Sequence, residues 1–131
     1  MPWAMLAPTT AVAGVDVMEL ASRGPHAAVL DVREPEEYAQ GHVPGATSLP
    51  QAELATRLAE VPRDRPLFVI CRGGMRSLRS AQFLRQMEIM QVTNVHGGTE
   101  AWRMAGLPLD FGEATPEQSH VIKPILTHAG S

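Results

Sequence analysis

The chain has 131 residues, of which 44% are hydrophobic, and its formal net charge is -3. This length suits one domain with one buried core, and the acidic balance lacks the clustered basic excess of a nucleic-acid-binding surface. Its single cysteine excludes an internal disulfide, and a zinc site would have to be assembled from scattered histidines and carboxylates. We therefore expect a cytoplasmic protein with no nucleic-acid partner and no metal.

The N-terminal stretch MPWAMLAPTTAVAG is apolar but lacks the basic residues that open a secretory signal. Its longest apolar run is too short to span a bilayer, so we expect no membrane association. We predict an N-terminal arm over residues 1–14, one domain over residues 15–109 and a C-terminal tail over residues 110–131. Within that tail, HVIKPIL is an edge strand, a docking arm or plain tail.

Strand-length apolar runs alternate with helix-like segments, which is the pattern of an α/β fold with a parallel sheet. In the first half of the chain, Asp16 is placed to cap a helix that Gly24 ends, and AAVLDV is a buried strand. A short helix follows from Pro35 to Gly41, and ATSLP is a brief strand.

The second half continues the alternation. QAELATRLAEV repeats apolar residues at Leu54, Leu58 and Val61, which predicts an amphipathic helix. RPLFVI is the clearest strand, a helix is predicted from Ser77 to Met87, and QVTNV is another strand. GGTEAWRMAG predicts a closing helix that Gly106 ends, with Thr99 as a cap and Trp102 as a core anchor.

Cys71 directly follows the clearest strand, and ligand sites of open α/β sheets lie at the carboxyl ends of strands. The residues after it, Arg72-Gly73-Gly74-Met75-Arg76, contain glycines that let successive amides point inward as an anion-binding nest. These amides, the next helix N-terminus and both arginines favour thiolate over thiol. The sequence therefore predicts a lowered pKa for Cys71.

A free cysteine, with a pKa of about 8.5, is only about 3% ionised at pH 7, so a drop of about two units would ionise most of it. Cys71 would then need no neighbouring base, although His42 or His96 remains open as a spatial partner. A buried structural thiol is the alternative, but it gives no reason for the Arg-Gly-Gly-Met-Arg-Ser sequence that follows.

The segments LDVREPEEYAQGHVPGA, LFVICRGGMRS and VHGGTEAW, which extend from Leu30 to Trp102, resemble the rhodanese sulfurtransferases in the order of that family. The resemblance implies a rhodanese-like, open parallel five-stranded sheet with helices on both faces. It also implies a thiosulfate:cyanide sulfurtransferase activity, in which a sulfane sulfur moves from thiosulfate or a persulfide donor to a thiol or cyanide acceptor through a cysteine persulfide.

The same resemblance assigns the site residues. Cys71 is the nucleophile, and the substrate-binding residues are Arg72, Gly73, Gly74, Met75, Arg76 and Ser77. Arg72 or Arg76 meets the sulfonate of the donor, and Met75 either packs the loop or contacts the acceptor. We expect no cofactor, a small-molecule donor and acceptor or a sulfur-carrying protein as partner, and a monomer or homodimer.

Two supporting residues lie in DVRE. Asp31 ends a strand beside the site, and a partly buried carboxylate needs a partner, which either Arg33 or Arg76 supplies. This favours a scaffold ion pair over a catalytic acid role for Asp31. His42, in the turn GHVPGA, is expected to be a hydrogen-bonding turn residue rather than a ligand. His120 and His128 have no companion at a metal-binding interval, so we expect no metal site.

Two other functions remain as alternatives. Cysteine phosphatases, one group of which resembles the rhodanese fold, place five residues between cysteine and arginine. Here four residues separate Cys71 from Arg76, and the position that those enzymes require holds Ser77. The second alternative is a catalytically silent binding domain, against which the retained cysteine, glycines and arginines argue.

Overall fold

The computed structural model describes residues 11–119. Five parallel strands form one sheet in the order β1-β5-β4-β2-β3. Their bounds are β1 Ala13–Val15, β2 Ala28–Asp31, β3 Thr47–Ser48, β4 Leu67–Ile70 and β5 Val92–Val95. All residues of β4 are buried, because neighbouring strands flank it and helices cover both faces. The predicted α/β class and parallel sheet are confirmed.

The helices cover both faces of this sheet. Their bounds are α1 Val17–Ser22, α2 Pro35–Ala39, α3 Met75–Gln86, α4 Gly98–Met104 and α5 Pro116–Ser119. Alternate residues of β4 point to opposite sides, so that Leu67 and Val69 join a core cluster with α3, whereas Phe68 and Ile70 join a second cluster with α1, α2 and α4. The fold is therefore two apolar layers on either side of one sheet.

Local sequence features begin and end these helices as expected. The Asp16 side chain accepts a hydrogen bond of 2.8 Å from the amide of Glu19, and Pro35 is the first residue of α2. Gly24 has a φ of 80°, in the left-handed region that favours glycine, shortly after α1 ends. Trp102 is buried in the core, and its indole N–H donates to the carbonyl of Pro108 at 2.6 Å.

Residues 51–61 do not form the predicted α-helix. Two 3₁₀ turns, Gln51–Glu53 and Leu58–Glu60, take its place. Leu54 and Val61 are nevertheless buried, as their apolar spacing predicted. The segment is preceded by Pro50 and followed by a proline, and the packing of Leu54 and Val61 into the core overrides its helical repeat.

Two helix starts also differ from the prediction. Helix α3 begins at Met75 rather than Ser77, because Gly74 has a φ of 111° and ends the loop early. Thr99 does not cap α4, since left-handed Gly97, with a φ of 79°, precedes the helix and Thr99 lies within its first turn. The cysteine loop is therefore shorter than the sequence indicated.

Strand β1 lies at the boundary between the predicted arm and the predicted domain, and the sequence pattern did not identify it. Its pairing with β5 completes the sheet. Most of the predicted arm, together with HVIKPIL, His120 and His128, lies outside the described residues. Within residues 11–119, no helix has the length and apolar character needed to cross a membrane.

Candidate active site

Cys71 lies directly after β4, where the chain leaves the sheet, and it is only 1% exposed to solvent. The Gly74 amide donates to Sγ of Cys71 at 3.1 Å. On the other side, the Thr99 amide donates to the Cys71 carbonyl at 2.8 Å. A Cβ at Gly98 would overlap that carbonyl oxygen, so a glycine is required for α4 to approach the loop this closely.

Hydrogen bonds outweigh burial at the Cys71 thiol. Burial raises its pKa, but the amides of Ser77, Gly74 and Gly73 stabilise the thiolate, and the pKa is lowered overall. The direction agrees with the expectation from sequence. The loop amides supply this stabilisation, which is the arrangement expected of an anion-binding nest.

We expect Cys71 to react with iodoacetamide at lower pH than a free thiol does, because a lowered pKa keeps the thiolate present as pH falls. The midpoint of alkylation rate against pH should lie below that of a model thiol. A wild-type midpoint at or above that of the model thiol contradicts the assignment.

The two loop arginines, Arg72 and Arg76, differ in how closely each is paired with a carboxylate. Both terminal nitrogens of Arg76 donate to the carboxylate of Glu37, at 2.8 and 2.9 Å, and these hydrogen bonds lower the pKa of Glu37 to about 2. The Arg72 side chain is 69% exposed, and its Nε lies 3.6 Å from Glu100. Arg72 therefore has more donors available to an incoming anion than Arg76 has.

Asp31 pairs with Arg33 rather than with Arg76. Nε and Nη2 of Arg33 donate to the two carboxylate oxygens at 2.9 and 2.7 Å, and Nη2 also donates to the Gly41 carbonyl at 2.9 Å. The side chains are 0% and 4% exposed. This buried pair ties the end of β2 to the turn after α2, which is a supporting role.

The other predicted site residues occupy distinct positions. Met75, the first residue of α3, is exposed, and Gly73 has open space where a side chain would begin. His42 is buried, donates from Nδ1 to the Tyr38 carbonyl at 2.7 Å and stacks on the Tyr38 ring. His96 is exposed. Among the described residues, no hydrogen bond joins either histidine to Cys71.

Asn94 is a further residue of the site, and no sequence motif indicated it. It lies on β5 and is 3% exposed. Its Oδ1 accepts from the Ser77 hydroxyl at 2.6 Å, and its Nδ2 donates to the Gly74 carbonyl at 3.3 Å. A buried asparagine in an apolar strand needs hydrogen-bond partners, and that feature of QVTNV could have indicated it. Asn94 therefore ties the cysteine loop to the sheet.

We expect Ser77 and Asn94 to be energetically coupled, because a single short hydrogen bond joins them within the core. In a double-mutant cycle, Ser77→Ala with Asn94→Ala should lose less unfolding free energy than the sum of the single variants, by roughly 0.5–3 kcal/mol. Urea denaturation measures each term. The control cycle pairs Ser77→Ala with Thr93→Ala and should be additive; equal behaviour of the two cycles contradicts the coupling.

The described residues contain no group of three or more histidine, cysteine, aspartate or glutamate side chains arranged to hold a metal ion. The cysteine loop itself offers a buried thiol among amide donors, with an exposed guanidinium beside it.

Comparison with curated proteins gives relatives of two kinds. A sulfurtransferase of Allochromatium vinosum is 40% identical over 81 residues, which are 62% of this chain and 76% of that protein. The HTH-type transcriptional regulator Rv0324 of Mycobacterium tuberculosis is 42% identical over 85 residues, but these are only 38% of its length and 64% of this chain.

Solved structures show the same fold. A rhodanese-related protein of Thermoplasma volcanium aligns with a TM-score of 0.71 and 31% identity, over 75% of this chain and 97% of that chain. A thiosulfate sulfurtransferase of Pseudomonas aeruginosa aligns with a TM-score of 0.68 and 31% identity, over 87% of this chain and 22% of that chain. Residues 15–105 match the family described as Rhodanese-like domain. With this match over most of the chain, and with the fold and relatives in agreement, the protein belongs to the rhodanese-like domain family.

Proposed function

We propose that the protein is a sulfurtransferase that carries a sulfane sulfur on Cys71, from thiosulfate or a persulfide donor to a thiol or cyanide acceptor. The observation that supports this most directly is the Gly74 amide donating to the sulfur of Cys71, within a loop whose donors lower the pKa of the thiol. A structural thiol has no need of such donors.

In the loading step, the Cys71 thiolate attacks the outer sulfur of thiosulfate. A new sulfur–sulfur bond forms to Sγ, the bond between the two thiosulfate sulfurs breaks, and sulfite leaves with the electron pair. In the unloading step, cyanide or a thiolate attacks the outer sulfur of the persulfide. Thiocyanate or a new persulfide is released, and Cys71 returns as thiolate.

The loop residues have separate roles in this proposal. The amides of Gly73, Gly74 and Ser77 stabilise negative charge on the thiolate and then on the persulfide. Arg72 meets the sulfonate, since its guanidinium is exposed and only distantly paired. Arg76, which Glu37 holds by two hydrogen bonds, instead fixes the start of α3 against α2.

The rest of the cycle depends on molecules outside the chain. Cys71 is the only thiol, so an internal disulfide cannot release the sulfur, and an external acceptor must take it. The partners are therefore a small-molecule donor and acceptor, or a protein that carries sulfur as a thiol or persulfide. No cofactor takes part in either step.

Steady-state formation of thiocyanate from thiosulfate and cyanide tests the proposal. We expect turnover by the wild-type protein and a several-fold higher KM for thiosulfate in Arg72→Gln, because the variant loses a charged donor to the sulfonate. Arg79→Gln, which removes an exposed arginine of α3, is the matched control and should leave KM unchanged. Equal KM values for the two variants contradict the role of Arg72.

Absence of turnover by folded, reduced wild-type protein with thiosulfate and with small persulfides contradicts the sulfurtransferase function itself. That result favours a binding domain in which the fold serves as a recognition surface.

A further inference from the structure

A recess lies beside the cysteine loop. It is a cavity of about 300 Å³, which we call the polar cavity, and its lining includes Glu37, Gln40, Arg72, Thr99, Glu100 and Arg103. The volume is at the lower end of the range for small-molecule sites. Thiosulfate and cyanide are both much smaller than this space, so neither accounts for it.

The polar cavity borders the loop on two sides. At its α4 side, the Thr99 amide donates to the Cys71 carbonyl at 2.8 Å and the Glu100 amide donates to the Arg72 carbonyl at 3.0 Å. At its α2 side, Glu37 holds Arg76 through both carboxylate oxygens. A molecule bound in the cavity therefore lies next to the residues that flank the reactive sulfur.

One buried polar group of the lining has no partner. Thr99 is 1% exposed, and its Oγ1 makes no hydrogen bond to any described residue. Leaving a buried hydroxyl unpaired is unfavourable, and such groups in native structures need an explanation. An oxygen of a bound ligand would accept from this hydroxyl and provide that explanation.

The charges of the lining favour an anion. Arg33, which also lines the cavity, is neutralised by Asp31, and Glu37 is neutralised by Arg76. Arg72 and Arg103 then share the carboxylate of Glu100, at 3.6 and 3.2 Å. One positive charge is left in excess, and guanidinium groups bind carboxylates with two parallel hydrogen bonds.

We propose that the polar cavity binds the carboxylate of a small organic thiol, or of its persulfide, and so presents that sulfur to Cys71. This inference rests on the proposed sulfurtransferase function. When the thiol is the acceptor, its thiolate attacks the outer sulfur of the Cys71 persulfide, a new sulfur–sulfur bond forms, and the bond to Sγ breaks to return the Cys71 thiolate. Thr99 and Arg103 contact the carboxylate and set the choice of acceptor.

Transfer from the loaded protein to three acceptors tests the assignment: cyanide, neutral 2-mercaptoethanol and 3-mercaptopropionate, which carries a carboxylate. We expect Arg103→Gln and Thr99→Val each to lower kcat/KM for 3-mercaptopropionate about three- to tenfold, since each removes one donor to a charged group. Values for cyanide and 2-mercaptoethanol should change less than twofold. Comparing each variant with wild type for the same thiol cancels intrinsic differences in nucleophilicity.

Arg23→Gln is the matched control, because Arg23 is an exposed arginine at the end of α1 that pairs with Glu19 as Arg103 pairs with Glu100 at the end of α4. It should leave all three acceptors unchanged. Thr99→Val should not lower Tm, since the hydroxyl that it removes has no partner. A uniform loss for all acceptors, or a loss for none, overturns the proposal.

A binding measurement separates this inference from the proposed function. Cys71→Ser protein should bind S-methylglutathione, a thioether with carboxylates and no thiol, with NMR shift changes at the amides of Thr99, Glu100 and Arg103. Thr99→Val in the same background should weaken the affinity about three- to tenfold. Absence of these shifts overturns the cavity assignment even if thiocyanate forms. Their presence in a protein that transfers no sulfur upholds the cavity and rejects the sulfurtransferase.

Discussion

Arg33→Ala is expected to lower the free energy of unfolding by about 3–5 kcal/mol, because it leaves the Asp31 carboxylate buried without its partner. Asp31 has no exposed surface, and both of its oxygens accept from Arg33. The variant also removes the hydrogen bond from Arg33 to the Gly41 carbonyl, so the turn after α2 loses its tie to the sheet.

Urea denaturation of the wild type and the variant measures this effect. Arg23→Ala serves as the control. Arg23 forms an exposed pair with Glu19 at 3.7 Å and lies over the Phe68 ring at 5.2 Å, and losing both contacts is worth about 0.5–2 kcal/mol. The double variant Asp31→Leu with Arg33→Met should recover part of the loss, because no unpaired charge remains in the core. A change below about 1 kcal/mol for Arg33→Ala contradicts the supporting role of the pair.

Cys71→Ser is expected to lower sulfur transfer by at least about a thousandfold, on the order of the losses that follow removal of a catalytic nucleophile. A serine hydroxyl is not ionised at neutral pH and does not form the persulfide on which both steps depend. The loop itself should persist, because the Thr99 amide binds the backbone carbonyl of residue 71, which the substitution keeps.

Thiocyanate formation, followed with Tm as a check on folding, measures this loss. The control is Met18→Ala, since Met18 is an exposed methionine of α1, outside the cysteine loop. It should keep activity within a few-fold of wild type. Retention of full transfer by folded Cys71→Ser places the chemistry elsewhere and rejects Cys71 as the nucleophile.

Much of the fold follows from local patterns in the sequence. The run LFVI is buried along its whole length and forms the central strand, because a parallel strand covered on both faces needs continuous apolar residues. The Asp16 side chain accepts a hydrogen bond from an otherwise unpaired amide in the first turn of α1. Pro35 has no amide hydrogen, so it leaves no donor unpaired at the start of α2. The position of Cys71 at the end of that strand follows from the same reasoning.

Features that depend on distant parts of the chain were not predictable in the same way. Residues 51–61 carry a helical repeat, yet the core takes up Leu54 and Val61 from two 3₁₀ turns. The sequence allowed either Arg33 or Arg76 as the ion-pair partner of Asp31, and the structure shows that Arg33 is the partner. Asn94 contacts the cysteine loop from β5, and the whole of α3 lies between the two in sequence.

The central claim is that Cys71 carries sulfur as a persulfide, and intact-mass measurement tests it most directly. After incubation with thiosulfate and removal of excess donor, the wild-type protein should be heavier by one sulfur atom. Cyanide or a small thiol should return it to its original mass, and Cys71→Ser should never gain the sulfur. Folded wild-type protein with a reduced Cys71 that takes up no sulfur from thiosulfate or from a small persulfide contradicts the claim.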